Sequence, residues 1–189
     1  EHPVEADVVV PIPDSGNFAG LGYSRTSGIP LEFGFIKNHY VGRTFIMPEN
    51  DDRKRSVDMK IAVLPEVVKG KRVIAIDDSI VRGNTMSKRV SVLREAGATE
   101  VHLRISSPPI RHPCYFGIDF PTPGELIASK KQTEDIREFL GADSLGYISL
   151  EGLLAPFENK KDFCTACFDG NYLMKPEQPQ RKDVLETHC

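Results

Sequence analysis

The sequence predicts an α/β fold with a mainly parallel central sheet flanked by helices, and three observations carry that prediction. Short, continuous apolar runs rich in β-branched residues recur along the chain. They lie within Ala6–Pro13, at Val73–Ile76 and at Val101–Ile105, and this is the texture of strands buried on both faces. The first two runs each stop in a cluster of small polar residues that leads into a helical pattern. Repeated strand, loop and helix is the order expected of parallel strands joined by helical crossovers.

The 189 residues suffice for one ordinary domain with a sizeable core and a small appendage. Apolar residues make up 40% and charged residues 27%, the balance of a soluble globular protein. A formal net charge of -3 provides no basic field, so composition argues against nucleic-acid binding. No apolar run is long enough to span a bilayer and no signal peptide is visible, which predicts a cytoplasmic protein without membrane contact. The chain opens at Glu1 and enters a strand within a few residues, which predicts a fragment shortened at its amino end.

The elements follow in order. Ala6–Pro13 is a strand, Asp14-Ser15-Gly16 a tight turn, and a helix starts near Asn17. Leu31–Ile36 is a second strand candidate. Lys37–Asp52, rich in Gly, Asn, Arg and Pro without apolar order, reads as a long surface loop. Ser56–Val68 is expected to be helical, with a break near Pro65. Gly70-Lys71-Arg72 marks a turn before the Val73–Ile76 strand, and Asp77–Asn84 is a polar loop. Thr85–Ala96 is a helix with Met86, Val90 and Leu93 on one face and Gly97 as its stop. Beyond Pro108 the texture becomes Pro- and Gly-rich, with helices expected at Thr133–Leu140 and Leu150–Leu154 and a strand candidate at Tyr147–Ser149. The predicted organisation is a core over 1–150, a helix and Cys-x-x-Cys segment over 151–174, and a loose polar tail over 175–189.

The sharpest chemistry lies in Val73-Ile-Ala-Ile-Asp-Asp-Ser-Ile-Val-Arg-Gly-Asn-Thr85. An apolar strand delivers two adjacent acids at its carboxyl end, the edge where open α/β sheets bind ligands. Gly83 permits close backbone approach, and Ser79, Asn84 and Thr85 offer hydrogen bonds. The start of the next helix presents free N–H groups and a positive dipole end to a phosphate. Carboxylates beside a phosphate cradle suit a ligand with vicinal hydroxyls and a monophosphate, and they can hold hydrated Mg²⁺. The plain alternative is that Asp77 and Asp78 end a strand and cap a turn. Pro13-Asp14-Ser15-Gly16 is a second strand-to-helix turn whose amides can face an anion. Lys37–Met47 carries Lys37, His39, Tyr40 and Arg43 around Gly42, either a solvated loop or a mobile clamp for an anionic leaving group.

These segments resemble the phosphoribosyl-pyrophosphate signature of type I phosphoribosyltransferases. Within that group, Asp-Asp-Ser-Ile-Val-Arg-Gly-x-Thr resembles the amidophosphoribosyltransferase version. Pro11–Gly16, Lys37–Ile46, Ser106–Cys114, Gly117–Asp119 and Glu125–Ala128 extend the likeness over most of residues 7–170. The resemblance implies a type I phosphoribosyltransferase-like fold. It also implies displacement of pyrophosphate from C1 of phosphoribosyl pyrophosphate by ammonia, the first step of purine biosynthesis. Asp77, Asp78, Ser79, Val81, Arg82, Gly83, Asn84 and Thr85 would hold the ribose 5-phosphate, and Asp14, Ser15 and Gly16 the pyrophosphate. Ser15, Asp77 and Asp78 would surround Mg²⁺, and Lys37 and Arg43 would act from a closing flap. The ammonia would come from glutamine through an amino-terminal glutaminase domain absent from this segment, so no glutamine hydrolysis is expected of it. A homo-oligomer inhibited by purine nucleotides is also implied. The charge run Asp51–Arg55 reads as a solvated helix start.

Cys164-Thr-Ala-Cys167 has a chelate spacing common to zinc and iron–sulfur sites, and Cys114 follows His112-Pro113 some fifty residues earlier. The residues alone leave open a metal site, a redox pair or plain buried thiols. In a subset of the resembling enzymes, cysteines matching Cys114, Cys164 and Cys167 bind a structural [4Fe–4S] cluster whose fourth ligand lies before this segment; Cys189, in the tail, does not replace it. Three rivals remain: a nucleobase or orotate transferase, which would lack the cysteine pattern; a nucleic-acid-binding regulator, which would need a basic surface; and an iron–sulfur or zinc protein, which leaves Asp77-Asp78 unexplained.

Overall fold

The computed structural model describes residues 1–37, 61–118 and 123–174. Among these, six strands form: β1 (Val8–Pro11), β2 (Phe35–Lys37), β3 (Ile61–Val63), β4 (Arg72–Asp77), β5 (Glu100–Ile105) and β6 (Ser144–Tyr147). The main sheet has the order β1-β4-β5-β6 and is parallel throughout. The helices are α1 (Gly16–Ser27), α2 (Pro65–Val68), α3 (Asn84–Glu95), α4 (Ile127–Lys130), α5 (Thr133–Leu140), α6 (Leu150–Leu154) and α7 (Ala166–Asp169). No helix among the described residues is long and apolar enough to cross a membrane.

Side-chain parity divides the sheet into two faces. Val8, Val10, Val73, Ala75, Val101, Leu103 and Ile105 join the larger core, together with Met86, Val90 and Leu93 of α3 and Ile136 and Leu140 of α5. Val9, Ile74 and Ile76 point the other way, toward Ala19 and Tyr23 of α1. This is the period-2 alternation of a strand with both faces covered, which is why the strands read as unbroken apolar runs. On β5 the second face turns polar: buried His102 contacts Ser144 Oγ (3.0 Å) and Glu100 Oε2 (2.9 Å), and buried Arg104 donates to the His2 carbonyl (2.7 Å).

The chain leaves β1 through α1 and returns to the outer edge of β1, where Leu31 bridges Val9 in parallel. It later enters β4 on the inner edge of β1. Successive connections therefore depart to opposite sides at β1 and β4, and the crevice beyond the carboxyl ends of such a strand pair is where α/β sheets hold ligands.

Three expectations are corrected. Ser56–Val68 is not one helix: its described part forms strand β3 and, after Leu64, the short α2, whose first residue Pro65 supplies a pre-set φ. Ile61–Val63 pairs antiparallel with Phe35–Lys37, a tertiary contact that overrides helix propensity. The Leu31–Ile36 strand reduces to the Leu31 bridge followed by β2. The last strand shares only Tyr147 with the Tyr147–Ser149 candidate, because Ser144 to Gly146 carry no apolar run; β5 recruits them by pairing Leu103 with Leu145 and Ile105 with Tyr147. The expected charge run at 51–55 and the tail from 175 lie outside the described residues.

β1 and β4 approach so closely beside α1 that its first residue has no room for a side chain. A Cβ on Gly16 would stand 2.3 Å from the Ile76 carbonyl oxygen and 3.2 Å from its carbon, both backbone atoms of β4. Gly16→Ala must push α1 off the sheet, and we expect a loss of about 1–3 kcal/mol, the usual range for overpacking. A lower urea midpoint at unchanged m value would register it.

Candidate functional site

The carboxyl ends of β1 and β4 deliver two loops to one place. After β1, Ile12–Ser15 turns tightly into α1: Gly16 N–H donates to the Ile12 carbonyl (3.0 Å) and Asn17 N–H to that of Asp14 (3.3 Å). The Pro13–Asp14 peptide is cis. After β4, residues 78–83 form the second loop, and Gly83 stands before α3 at φ 83°, a left-handed conformation that glycine adopts without a Cβ penalty. A side chain there would also meet Ile127 Cδ1 at 2.9 Å and Phe139 Cε1 at 3.0 Å. A hollow of about 270 Å³ opens over this loop, lined by Asp77 through Met86 and by Arg89. A larger hollow, of about 590 Å³ and largely apolar, lies between α1 and the ends of β5 and β6 and lacks the paired acids.

The two acids divide into one buried and one exposed. Asp77 is 4% exposed; its Oδ1 accepts the Asp78 N–H (3.0 Å) and its Oδ2 the Nη1 of Arg89. Burial raises the Asp77 carboxyl to about 7, against the pull of Arg89, with Asp78 nearby adding to the rise. Asp78 faces solvent and accepts Ser15 Oγ at 3.1 Å and Ser79 Oγ at 3.2 Å. The Ser15 contact joins loops 63 residues apart in sequence. Beyond Asp78 the exposed Asn84 and Thr85 occupy the first turn of α3, whose leading N–H groups have no helical partner. An anion there would meet donors and the positive end of the helix dipole.

The remaining expected site residues fall around this centre. Asp14 pairs with Lys37 at the end of β2, which sets the first cation of the expected flap against the Ser15 loop. Arg43 and the rest of that flap, with His39, Tyr40 and Gly42, lie outside the described residues. Arg82 lines the hollow, but its guanidinium is held by Glu125, Nε to Oε2 at 2.7 Å, while Ile127 N–H donates to the Val81 carbonyl at 2.9 Å. Sequence reasoning assigned no role to Arg89 or Glu125. Arg89 carried a weak signal: it follows Thr85 by one helical turn and flanks the buried stripe of Met86, Val90 and Leu93. Glu125 carried none, since its partner is 43 residues away.

The cysteines gather elsewhere. The N–H groups of Arg111 and His112 both donate to the Cys167 carbonyl at 3.0 Å, and Tyr172 Oη donates to that of Pro113 at 2.7 Å. These contacts fold the α7 segment onto the loop that carries Cys114. Burial raises the Cys167 thiol, and the neighbouring Cys114 and Cys164 raise it further. Cys164 is exposed, Cys114 and Cys167 half-buried. Among the described residues no group of three His, Cys, Asp or Glu is arranged to hold a metal ion.

A parallel α/β sheet with paired acids and a glycine turn at its switch point is the arrangement of the type I phosphoribosyltransferase-like fold. The comparisons narrow the class. The chain is 53% identical over 194 residues to an amidophosphoribosyltransferase of Mycobacterium tuberculosis, covering 98% of this chain and 37% of that protein. To the amidophosphoribosyltransferase of Bacillus subtilis it is 54% identical over 177 residues, 91% of this chain and 37% of that one. The solved glutamine phosphoribosylpyrophosphate amidotransferase of B. subtilis, complexed with ADP and GMP, superposes with a TM-score of 0.85 at 51% identity, over 96% of this chain and 41% of that chain. No family model matches the chain. The chain belongs to the amidophosphoribosyltransferase family, and it spans a little over a third of the length of the curated relatives it matches.

The burial of Asp77 is testable by pH. Burial raises the folded-state Asp77 carboxyl to about 7, above which it stands as the carboxylate partner of Arg89, whereas the unfolded chain releases the proton near the ordinary value of 3.8. The stability it contributes is therefore full below about 4 and lost as pH rises toward 7. Asp77→Asn should flatten the stability profile over that window, as measured by urea denaturation at stepped pH.

Proposed function

We propose that this chain is the phosphoribosyl-transfer part of an enzyme that joins ammonia, drawn from glutamine, to C1 of 5-phosphoribosyl 1-pyrophosphate. The products would be 5-phosphoribosylamine and pyrophosphate, and the reaction would open purine biosynthesis. One observation carries the reading: exposed Asp78, hydrogen-bonded to Ser15 and Ser79, stands beside the Gly83 turn and the start of α3 in a single hollow. Ribose hydroxyls would face the acids, the 5-phosphate the Arg82–Thr85 turn, and the pyrophosphate the Asp14–Gly16 loop. The names of the relatives support the same chemistry.

The donor set fits Mg²⁺. Ser15 and Asp78 offer hard oxygen atoms within 3.1 Å of each other, with Asp77 alongside. Magnesium is commonly held by one or two carboxylates plus the phosphates of a substrate. When bound with pyrophosphate it would neutralise charge on the leaving group. In the reaction the C1–oxygen bond breaks with its electron pair going to pyrophosphate, a C1–nitrogen bond forms, and the nitrogen loses a proton to solvent. An anomeric centre passes through an oxocarbenium-like state, so the residues here contribute by orientation and by stabilising the departing anion. Lys37, at the end of β2 beside Asp14, would do so, and Arg43 of the flap would join it.

Purine nucleotides share the ribose 5-phosphate of the substrate and would compete at the same turn; the B. subtilis relative was solved with ADP and GMP. A homo-oligomer completes the reading. Cys114, Cys164 and Cys167 would give three thiolates to a structural [4Fe–4S] cluster; the electrostatic influence of Cys114 and Cys164 on Cys167 supports their neighbourhood, although the described residues do not group the three as a metal site.

Two experiments test the proposal. Pyrophosphate release from phosphoribosyl pyrophosphate should require Mg²⁺ and ammonium and should not proceed with nucleobases. Asp78→Ala should weaken substrate binding about 10- to 100-fold, the worth of one or two charge-assisted hydrogen bonds. Binding by Asp78→Ala equal to that of the unaltered protein would sink the assignment. Separately, protein prepared anaerobically should contain iron and acid-labile sulfide that are lost on Cys164→Ser; zinc without sulfide would reject the cluster.

A further inference from the structure

We propose that Arg89 is a positioning residue of the sugar-phosphate site: by gripping the buried Asp77 carboxylate it fixes the turn that presents Asp78 to the ligand. The inference deepens the reading above and rests on it. Both Asp77 oxygens are engaged, one by Arg89 and one by the N–H of Asp78. A carboxylate held at both ends cannot rotate. Because its second partner is the backbone of Asp78, its orientation is passed to the next residue. Asp78 then projects between Ser15 and Ser79.

Burial makes this pair more than a surface contact. The Asp77 side chain is 5% exposed and that of Arg89 is 20% exposed. Exposed ion pairs contribute little, but removing one partner of a buried pair strands the other charge without solvent. Arg89 also keeps a buried Nε with no hydrogen-bond partner among the described residues. Buried donors are normally satisfied, so the guanidinium occupies a position set by Asp77 at the expense of its own bonding. An anchoring role for the helix is already filled, since Met86, Val90 and Leu93 seat α3 in the core. The other guanidinium lining the hollow, on Arg82, is engaged by Glu125.

The test is a double-mutant cycle read by calorimetric titration of Mg²⁺–phosphoribosyl pyrophosphate into the purified protein. Arg89→Met should weaken binding about ten- to fiftyfold. In an Asp77→Asn background the same substitution should add less than about twofold, because the interaction it removes is gone. A purely structural role would lower the unfolding midpoint of Arg89→Met while leaving the affinity of the folded protein unchanged; that result, or additive losses in the cycle, overturns the proposal. Should Arg89→Met fail to fold, Arg89→Lys enters the same cycle, with an intermediate, non-additive loss expected and additivity again overturning it. Asp78→Ala is the control for the underlying reading. If it binds as tightly as the unaltered protein, the assignment of the site falls and takes this proposal with it; if it loses affinity while Arg89→Met does not, only the role of Arg89 falls.

Discussion

The parallel pairing of β1 with β4 is the constraint from which the site follows. Register places Val8 opposite Val73 and Pro11 opposite Ile76, so both strands end at the same level and release their loops side by side. The contact between Ser15 and Asp78 is a direct consequence. So is the requirement for glycine at position 16, where the Ile76 carbonyl occupies the space of a side chain. Pairing strands this distant in sequence costs loop-closure entropy. The continuous apolar faces of Val8–Val10 and Val73–Ile76, buried on both sides, offset that cost.

Much of this was legible in the residues because the information is local. Val73–Thr85 holds a strand, a turn and a helix start within thirteen residues, and each is announced by its own chemistry: β-branched run, acids and glycine, then the periodic stripe of Met86, Val90 and Leu93. Helices Thr133–Leu140 and Leu150–Leu154 fall where periodicity put them. What was not legible depends on contacts distant in sequence. Ile61–Val63 has no strand signature stronger than its helical one until Phe35–Lys37 pairs with it. The grip of Glu125 on Arg82 and the fold of the α7 segment onto the 111–113 loop likewise appear only once the chain has closed on itself.

The electrostatics of the site are arranged locally rather than by the chain as a whole, which is slightly acidic at a formal -3. Cations near the hollow are already engaged by acids: Lys37 with Asp14, Arg82 with Glu125 and Arg89 with Asp77. On the proposed reading, a substrate carrying a phosphate and a pyrophosphate would compete for partners in a nearly balanced field, and binding would draw on oriented backbone donors and bound cations more than on free side-chain charge. Balanced pairs also restrain side chains that would otherwise sample many rotamers, which lowers the ordering cost paid on binding.

Strand parity explains why two adjacent aspartates take opposite roles. Along β4 the odd positions Val73 and Ala75 face the core shared with α3, and Asp77 continues that series as the last residue of the strand. Its side chain is thereby carried beneath α3, where Arg89 meets it and burial withdraws it from water. Asp78 lies past the strand, free of the parity rule, and turns outward to the serines. A pair of acids at a strand end is therefore not a symmetric ligand set. The strand fixes the first, and the first, through its hold on the next N–H group, fixes the second. The physical reason the motif needs two acids in sequence is that one must be anchored in the ladder and the other free of it, and no single residue can be both.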